Sequence, residues 1–398
     1  MNIIRRFALP ICILVAGAVW LPMVARLHRV DTARFQVQTG MAPDAAALAE
    51  SQLRLWRDPQ WQAAELARMR QRNPEWDFMG RTFFVLALAN ISLREPARTT
   101  ECLGIMDAII DETLALESAE GMYVFLLDYA RGRPWVMEPV RSQFLDGEIA
   151  MMLAARCYVA DRPAYREALR ERVALMTERM QRGPVLCAES YPDECWLFCN
   201  SIGLAAIRMA DGLDGTDHSE LLTAWLATAQ GQLTDPQTGM LIAACTVEGQ
   251  PHPAGPGPEG SSIFLTAHML ELLDADYAQD QYRRARAELG REFLGFGYAR
   301  EWPEGVEAQM DIDSGPIIPV IDASAGASGL AILGAAAFHD DAYLAALLGS
   351  LEFAGFPVRE GDSLRFAASN GVGDAVMLYA LVQGPLWARV QETRPYVD

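Results

Sequence analysis

From about Pro43 onward, apolar residues recur at three- and four-residue spacing, the mark of helices that bury one face. The spacing predicts helices over Ala45–Met69, Arg81–Ser92, Thr99–Leu116, Phe144–Val159, Ala164–Met180 and Leu197–Met209. It predicts six more over Ser219–Leu233, Ile263–Leu273, Asp280–Phe293, Ala325–Phe338, Ala342–Phe353 and Gly373–Val382. Almost no segment alternates at period two, so the core is expected to hold no buried strand. The fold class expected is all-α.

The helices fall into consecutive pairs, and the pairs repeat. One helix ends, a short turn carries Asp, and the next helix opens on an aromatic or aliphatic residue. This happens at Asp161 to Tyr165, at Asp217-His218, at Asp276 to Tyr282 and at Asp340 to Tyr343, about sixty residues apart. Asp is a good N-cap for the second helix of such a pair. Helical hairpins of that period, about six in this length, predict an (α/α)6 barrel, a six-hairpin toroid. The irregular connections Gly183–Trp196, Thr246–Ser262 and Phe296–Ser324 are then expected at the mouth of the ring.

The N-terminus breaks this pattern. Phe7 to Ala25 is apolar for nineteen residues, with Arg5 and Arg6 before it and Arg26, His28 and Arg29 after it. That length suits a membrane-spanning helix. Pro22-Met23-Val24-Ala25 makes a poor cleavage site, so the run reads as a signal anchor rather than a removed leader. Residues 1–30 are therefore assigned to a single-pass anchor and residues 31–398 to the barrel domain. The barrel is expected on the extracytoplasmic or periplasmic side, with the membrane engaged through residues 7–25.

Composition removes several classes of chemistry. The chain has no lysine, which excludes a P-loop, a Schiff base or a lysine base. Its net charge of −19 argues against nucleic acid as a partner. The histidines, His28, His218, His252, His268 and His339, lack metal-binding spacing, and no CxxC pair occurs, so no metal site is expected. Self-association into a homo-oligomer is compatible with the sequence. Outside the anchor the cysteines are Cys102, Cys157, Cys187, Cys195, Cys199 and Cys245, an even number that leaves disulfide pairing open.

The densest chemistry lies between Gly183 and Ser201. Cys187, Glu189, Tyr191, Asp193, Glu194, Cys195 and Cys199 fall on a turn leading into an apolar helix. Thiols and acids at a helix start can be tuned for proton transfer or nucleophilic attack, although buried cysteines are also common core residues. Glu148, set among Phe144, Met151 and Met152, is a candidate acid, because burial favours its neutral form. The bland alternative is an inner-helix carboxylate paired with Arg141 or Arg81.

Cys199-Asn200-Ser201, Gly215-Thr216-Asp217, Ala224-Trp225-Leu226 and Asp235-Pro236 with Gly239 resemble the central block of the linalool dehydratase/isomerase family. The resemblance implies an (α/α)6 barrel, no metal, no organic cofactor, and acid–base isomerisation and dehydration of allylic terpene alcohols. A cysteine pair of that family falls on Cys199 and on either Ser190 or Cys187. A family histidine falls on Glu148 after Gly147, a tyrosine on Phe264, and an aspartate corresponds to Asp77 in Glu75-Trp76-Asp77-Phe78. The polar companions thus differ from the family pattern, which shifts the expected substrate from linalool to an isoprenoid or other small apolar alcohol.

The expected catalytic residues are Cys199 and Glu148, supported by Asp77, Cys187 and Tyr191, with Asp313 added from the acidic loop Asp311-Ile312-Asp313. Trp76 to Phe83, with aromatic, acid and base side by side, suits a pocket wall or a packed helix start. Two rival readings use the same barrel. One is a carbohydrate-active enzyme working through paired carboxylates, Asp311, Asp313 or Glu189, in a groove lined by Trp196 and Trp302. The other is a non-catalytic binding protein, in which Cys199 and Glu148 share no pocket.

Overall fold

The computed structural model describes residues 2–252, 257–306 and 317–393, with side chains from Phe7 onward. The chain opens with α1 (Asn2–Leu27), whose side chains are almost all exposed. Among the described residues it is the one helix long and apolar enough to cross a membrane. The expected helix over Ala45–Met69 is two helices, α2 (Pro43–Arg57) and α3 (Pro59–Arg72). Pro59 offers no amide to the preceding turn, and Asp58 takes the amides of Gln60 and Trp61 at 3.1 Å each, so the chain restarts there.

The rest is a set of hairpins: α4 (Pro74–Arg94) with α5 (Thr99–Glu120), α6 (Gln143–Val159) with α7 (Pro163–Arg182), and α8 (Leu197–Asp214) with α9 (Ser219–Gln232). Three more follow, α10 (Gly260–Leu270) with α11 (Ala275–Glu288), α12 (Ala325–Ala337) with α13 (Asp341–Ala354), and α14 (Gly371–Val382) with α15 (Pro385–Glu392). The first helix of each pair packs on the first helix of the next, and α14 returns to α4, which closes a ring. These inner helices are buried on every side, as in the unbroken buried run from Gln143 to Tyr158 of α6. The outer helices bury one stripe, as with Tyr165, Leu169, Val173, Met176 and Met180 on α7. The architecture is an (α/α)6 barrel.

Of the expected Asp caps, Asp340 takes shape, accepting from Tyr343 N at 3.2 Å, whereas in the Asp276 to Tyr282 turn the cap is Asp274, which accepts from Tyr277 N at 2.9 Å. Asp161 instead pairs with Arg166 at 3.3 Å.

Short strands lie around the ring rather than within it. β1 (Cys195–Trp196) pairs with β2 (Ala244–Cys245), placing Cys195 opposite Cys245. β3 (Gly290–Phe293), β4 (Phe296–Arg300), β5 (Ile317–Ile318) and β6 (Ala323–Ser324) form an antiparallel sheet in the order β3-β4-β6-β5. β7 (Pro357–Glu360) and β8 (Ser363–Phe366) form a separate hairpin. This corrects two expectations. The helix predicted to run to Phe293 stops at Glu288, and the connection Phe296–Ser324 carries strands. Leu294 and Gly295 both hold positive φ, 52° and 85°, the geometry of a two-residue hairpin turn, so the chain folds back instead of continuing a helix.

Candidate active site

The contact between α6 and α8 fixes the centre of the site. A Cβ on Gly147 would stand 3.2 Å from the carbonyl oxygen of Cys199 and 3.2 Å from the amide nitrogen of Gly203. Glycine at 147 therefore lets the two backbones approach closely. Glu148, the next residue on α6, is carried into the same region, close enough that its ionised form disfavours the Cys199 thiolate.

Glu148 is fully buried. Its Oε2 accepts from Thr82 Oγ1 of α4 at 2.6 Å, and its Oε1 has no hydrogen-bond partner among the described residues. Burial pushes its carboxyl up to about 8, with the Thr82 hydroxyl working the other way. Neither arginine that could have neutralised it does so. Arg141 pairs with Asp146 and with Glu117 (2.8 Å), and Arg81 pairs with Asp77 at 2.9 Å and Glu112 at 3.2 Å. The result is a carboxyl that holds its proton well above the usual carboxylate range, with one oxygen unpartnered among the described residues.

Cys199, in the first turn of α8, is also buried, and burial raises its thiol well above the usual range. The Ser190 hydroxyl opposes that rise, while Glu148 and then Glu75 add to it. Glu75 opens α4 and accepts a hydrogen bond from the Tyr191 hydroxyl, which itself accepts from the amide of Leu127 at 3.0 Å. Burial and the neighbouring Glu75 hold the Tyr191 phenol far above its ordinary value. Tyr191 also stacks on Tyr129, with centroids 4.6 Å apart. One end of the barrel thus gathers three protonated groups, the Glu148 carboxyl, the Cys199 thiol and the Tyr191 phenol, with Glu75 among them.

The other expected site residues stand elsewhere. Asp77 is held by Arg70 at 2.7 Å and Arg81 at 2.9 Å, so its carboxylate serves a buried ion pair. The thiol of Cys187 accepts from the Trp225 indole at 3.4 Å and neighbours Cys245. Glu189 is fully buried and accepts the amides of Val136, Met137 and Asp193 at 2.9, 2.7 and 2.7 Å, which commits it to holding the loop. Phe264 faces the outer helix residue Tyr282. Asp311 and Asp313 lie outside the described residues.

Glu75 and Thr82 stand beside Cys199 and Glu148 without having been singled out from the sequence. A signal was present. Positions 75, 78 and 82 share one face of a helix, whereas Asp77 matches Arg81 at i+4 on another.

The remaining motif residues are fasteners. Asn200 accepts from Ala188 N at 2.9 Å and donates to the carbonyls of Ala188 at 3.0 Å and Trp196 at 2.9 Å. Gly215 caps α8 at φ 67°, and Thr216 and His218 bind back to Asp211. Asp235 accepts from Thr238 N at 2.8 Å in the turn that ends at Gly239, itself at φ 69°.

Fold and site together define an (α/α)6-barrel protein with a buried, uncharged acid–thiol centre. The sequence model of the linalool dehydratase/isomerase family matches residues 147–357, more than half of the chain and including every one of these motif residues, and the chain belongs to that family. No curated protein sequence matches it. Similar solved structures include a GH76 alpha-mannanase of Bacteroides thetaiotaomicron at 12% identity, covering 79% of this chain and 87% of that one with a TM-score of 0.47. A family 105 glycoside hydrolase of C. acetobutylicum matches at 13% identity over 86% of this chain and 99% of that one, TM-score 0.46. A family 88 glycosyl hydrolase of Bacteroides vulgatus matches at 13% identity over 77% and 99%, TM-score 0.34. At such values these likenesses carry no argument about what this chain acts on.

Proposed function

We propose that this protein is a membrane-anchored, cofactor-independent dehydratase/isomerase-like enzyme that acts on an isoprenoid or other apolar allylic alcohol, with its barrel on the extracytoplasmic side. The observation that carries the reading is Glu148, a fully buried carboxyl that keeps its proton to about pH 8 and leaves one oxygen unengaged. Loss of water from an allylic alcohol needs an acid to protonate the departing hydroxyl and a base to take a proton from carbon. Glu148 is the acid in this reading. Its free oxygen meets the leaving hydroxyl, and the proton passes to it as the carbon–oxygen bond breaks. Cys199 and the Glu75–Tyr191 pair lie beside that carboxyl, and in this reading the Glu75 carboxylate takes the carbon-bound proton as the double bond forms, or returns it in the reverse direction. Returning hydroxyl to a different carbon gives the isomer instead of the diene.

The apolar surroundings suit this chemistry, since a buried site limits trapping of cationic character by stray water. Glu189 is tied to three backbone amides, which leaves the paired-carboxylate alternative without that member among the described residues.

The test is to incubate the purified full chain with short allylic and terpenoid alcohols beside Cys199→Ala and Glu148→Gln, following diene and isomer by gas chromatography. Turnover by the wild type that drops about 10²- to 10⁴-fold in Glu148→Gln supports the reading. No turnover of any alcohol, or full activity in both variants, overturns it.

A further inference from the structure

The end of α1 runs directly into a patch of exposed aromatic and aliphatic side chains. His28, the first residue after the helix, packs edge-on against Phe353 of α13 at 4.9 Å and lies 6.2 Å from Phe296 of β4. Phe296 and Phe353 are themselves 5.3 Å apart. Gly349 of α13 is the meeting point: a Cβ there would stand 3.3 Å from the carbonyl of Gly295 and 3.5 Å from that of His28. The exit of α1 and the tip of the β3–β4 hairpin are thus seated on the same turn of α13.

Around that point large apolar side chains face outward. Phe293 and Leu294 form the hairpin tip, Phe353 lies in the last turn of α13, and Phe356 follows one turn beyond. Phe293 and Phe356 are each 64% exposed, Phe353 51% and Leu294 38%. Neighbouring apolar groups left bare on a chain of this size mark a surface that meets something apolar. Leu294 and Phe356 even hold positive φ, 52° and 52°, a conformation that β-turn glycine or asparagine adopts more readily.

We infer that this face of the barrel rests on the lipid bilayer, with Phe293, Leu294, Phe353 and Phe356 inserted at the boundary between headgroups and acyl chains beside the point where α1 leaves the membrane. Chain connectivity selects the occupant. If α1 spans the bilayer, His28 lies at its surface, and the patch packed on His28 lies there with it. The attraction is apolar rather than electrostatic, because the chain carries a net charge of −19 and anionic headgroups would repel it. A bare anchor lets a barrel tumble, whereas a second contact fixes its tilt. α13 ends where the chain turns back towards the start of α14, so the patch lies at the same end of the ring as Glu148 and Cys199. The inference does not depend on the reaction proposed above.

The test uses the full chain in phosphatidylcholine vesicles, with Cys12→Ser as background and an environment-sensitive dye on Leu294→Cys or, as a control, on Ala174→Cys. Ala174 is exposed on α7, three hairpins round the ring from α13. The dye at 294 should be quenched by nitroxide-labelled phosphatidylcholine and shielded from aqueous iodide, and the dye at 174 should show the reverse. Adding Phe293→Ser and Phe353→Ser, both at exposed positions, should return the 294 dye to iodide while α1 keeps the protein on the vesicles. Quenching at 294 by iodide alone overturns the inference. Shielding from both quenchers, as a second copy covering the patch would give, overturns it too.

Discussion

Thr82 of α4 donates its hydroxyl to one oxygen of Glu148 on α6 at 2.6 Å, while the other oxygen of that carboxyl has no partner among the described residues. A single neutral donor steadies the carboxyl's orientation without supplying the charge that would ionise it. This relationship separates Glu148 from every ion-paired acid in the barrel, and it can be probed from the Thr82 side.

In Thr82→Val the hydroxyl that favours the charged carboxylate is gone, and burial acts alone. The Glu148 carboxyl should rise further, by roughly one pH unit for one lost neutral hydrogen bond. The alkaline limb of the pH–rate profile, expected near pH 8 in the wild type, should move up with it. A limb that stays in place would separate Glu148 from the titration that limits the rate.

Glu148 should also leave its mark on stability. Its carboxyl titrates near its ordinary value of 4.5 when unfolded and at about 8 when folded, so between those values the folded chain binds the extra proton. Stability from this group is present in full below about pH 4.5 and is lost as pH rises towards 8. Glu148→Gln keeps the shape and cannot titrate. Urea midpoints measured between pH 5 and 9 should show the variant gaining on the wild type as pH rises.

Asp77→Asn should destabilise the protein without a matching effect on turnover. The change strips the charge from a buried carboxylate that faces two arginines, at 2.7 Å and 2.9 Å. Arg81, itself 1% exposed, then keeps only Glu112 at 3.2 Å as a charged partner, which should cost about 1–3 kcal/mol. Thermal unfolding gives the loss, and kcat per folded molecule at low temperature gives the comparison.

The cysteines outside α1 should be silent towards thiol reagents. Cys102, Cys157, Cys187, Cys195, Cys199 and Cys245 are buried free thiols, and burial raises Cys102, Cys157 and Cys199 above the usual thiol range. Only the thiolate reacts. Mass spectrometry after brief iodoacetamide treatment should find these six unmodified in the folded chain and all six modified after denaturation without reductant.

Much of this was legible in the sequence, for physical reasons. The inner helices read clearly because total burial demands long apolar runs rich in small residues, and the Asp-bearing turns set their period. The burial of Cys199 and Glu148 was legible because one opens an apolar helix and the other is an acid amid Phe144, Met151 and Met152. The break at Asp58-Pro59 was equally written in a capping residue followed by a proline, and the continuous apolar spacing hid it. The sheet around β4 was not legible, since strands of two to five residues are too short to establish a period. Glu75 and Asp77 differ by two positions, and only the direction each faces on α4 assigns one to the thiol and the other to the arginines.

Asn200 binds Ala188 through both its amide and its carbonyl, and binds Trp196 as well. The segment from Glu189 to Cys195 is therefore a sealed cassette whose two ends are stapled to the first turn of α8. Glu189 ties its interior to three further amides, so both ends and the middle of the segment are held while the Cys199 thiol follows from the helix. Ser190, whose hydroxyl acts on the Cys199 thiol, and Tyr191, which donates to Glu75, are the positions inside that cassette where, in the reading proposed above, a lineage could retune its substrate while leaving the barrel untouched.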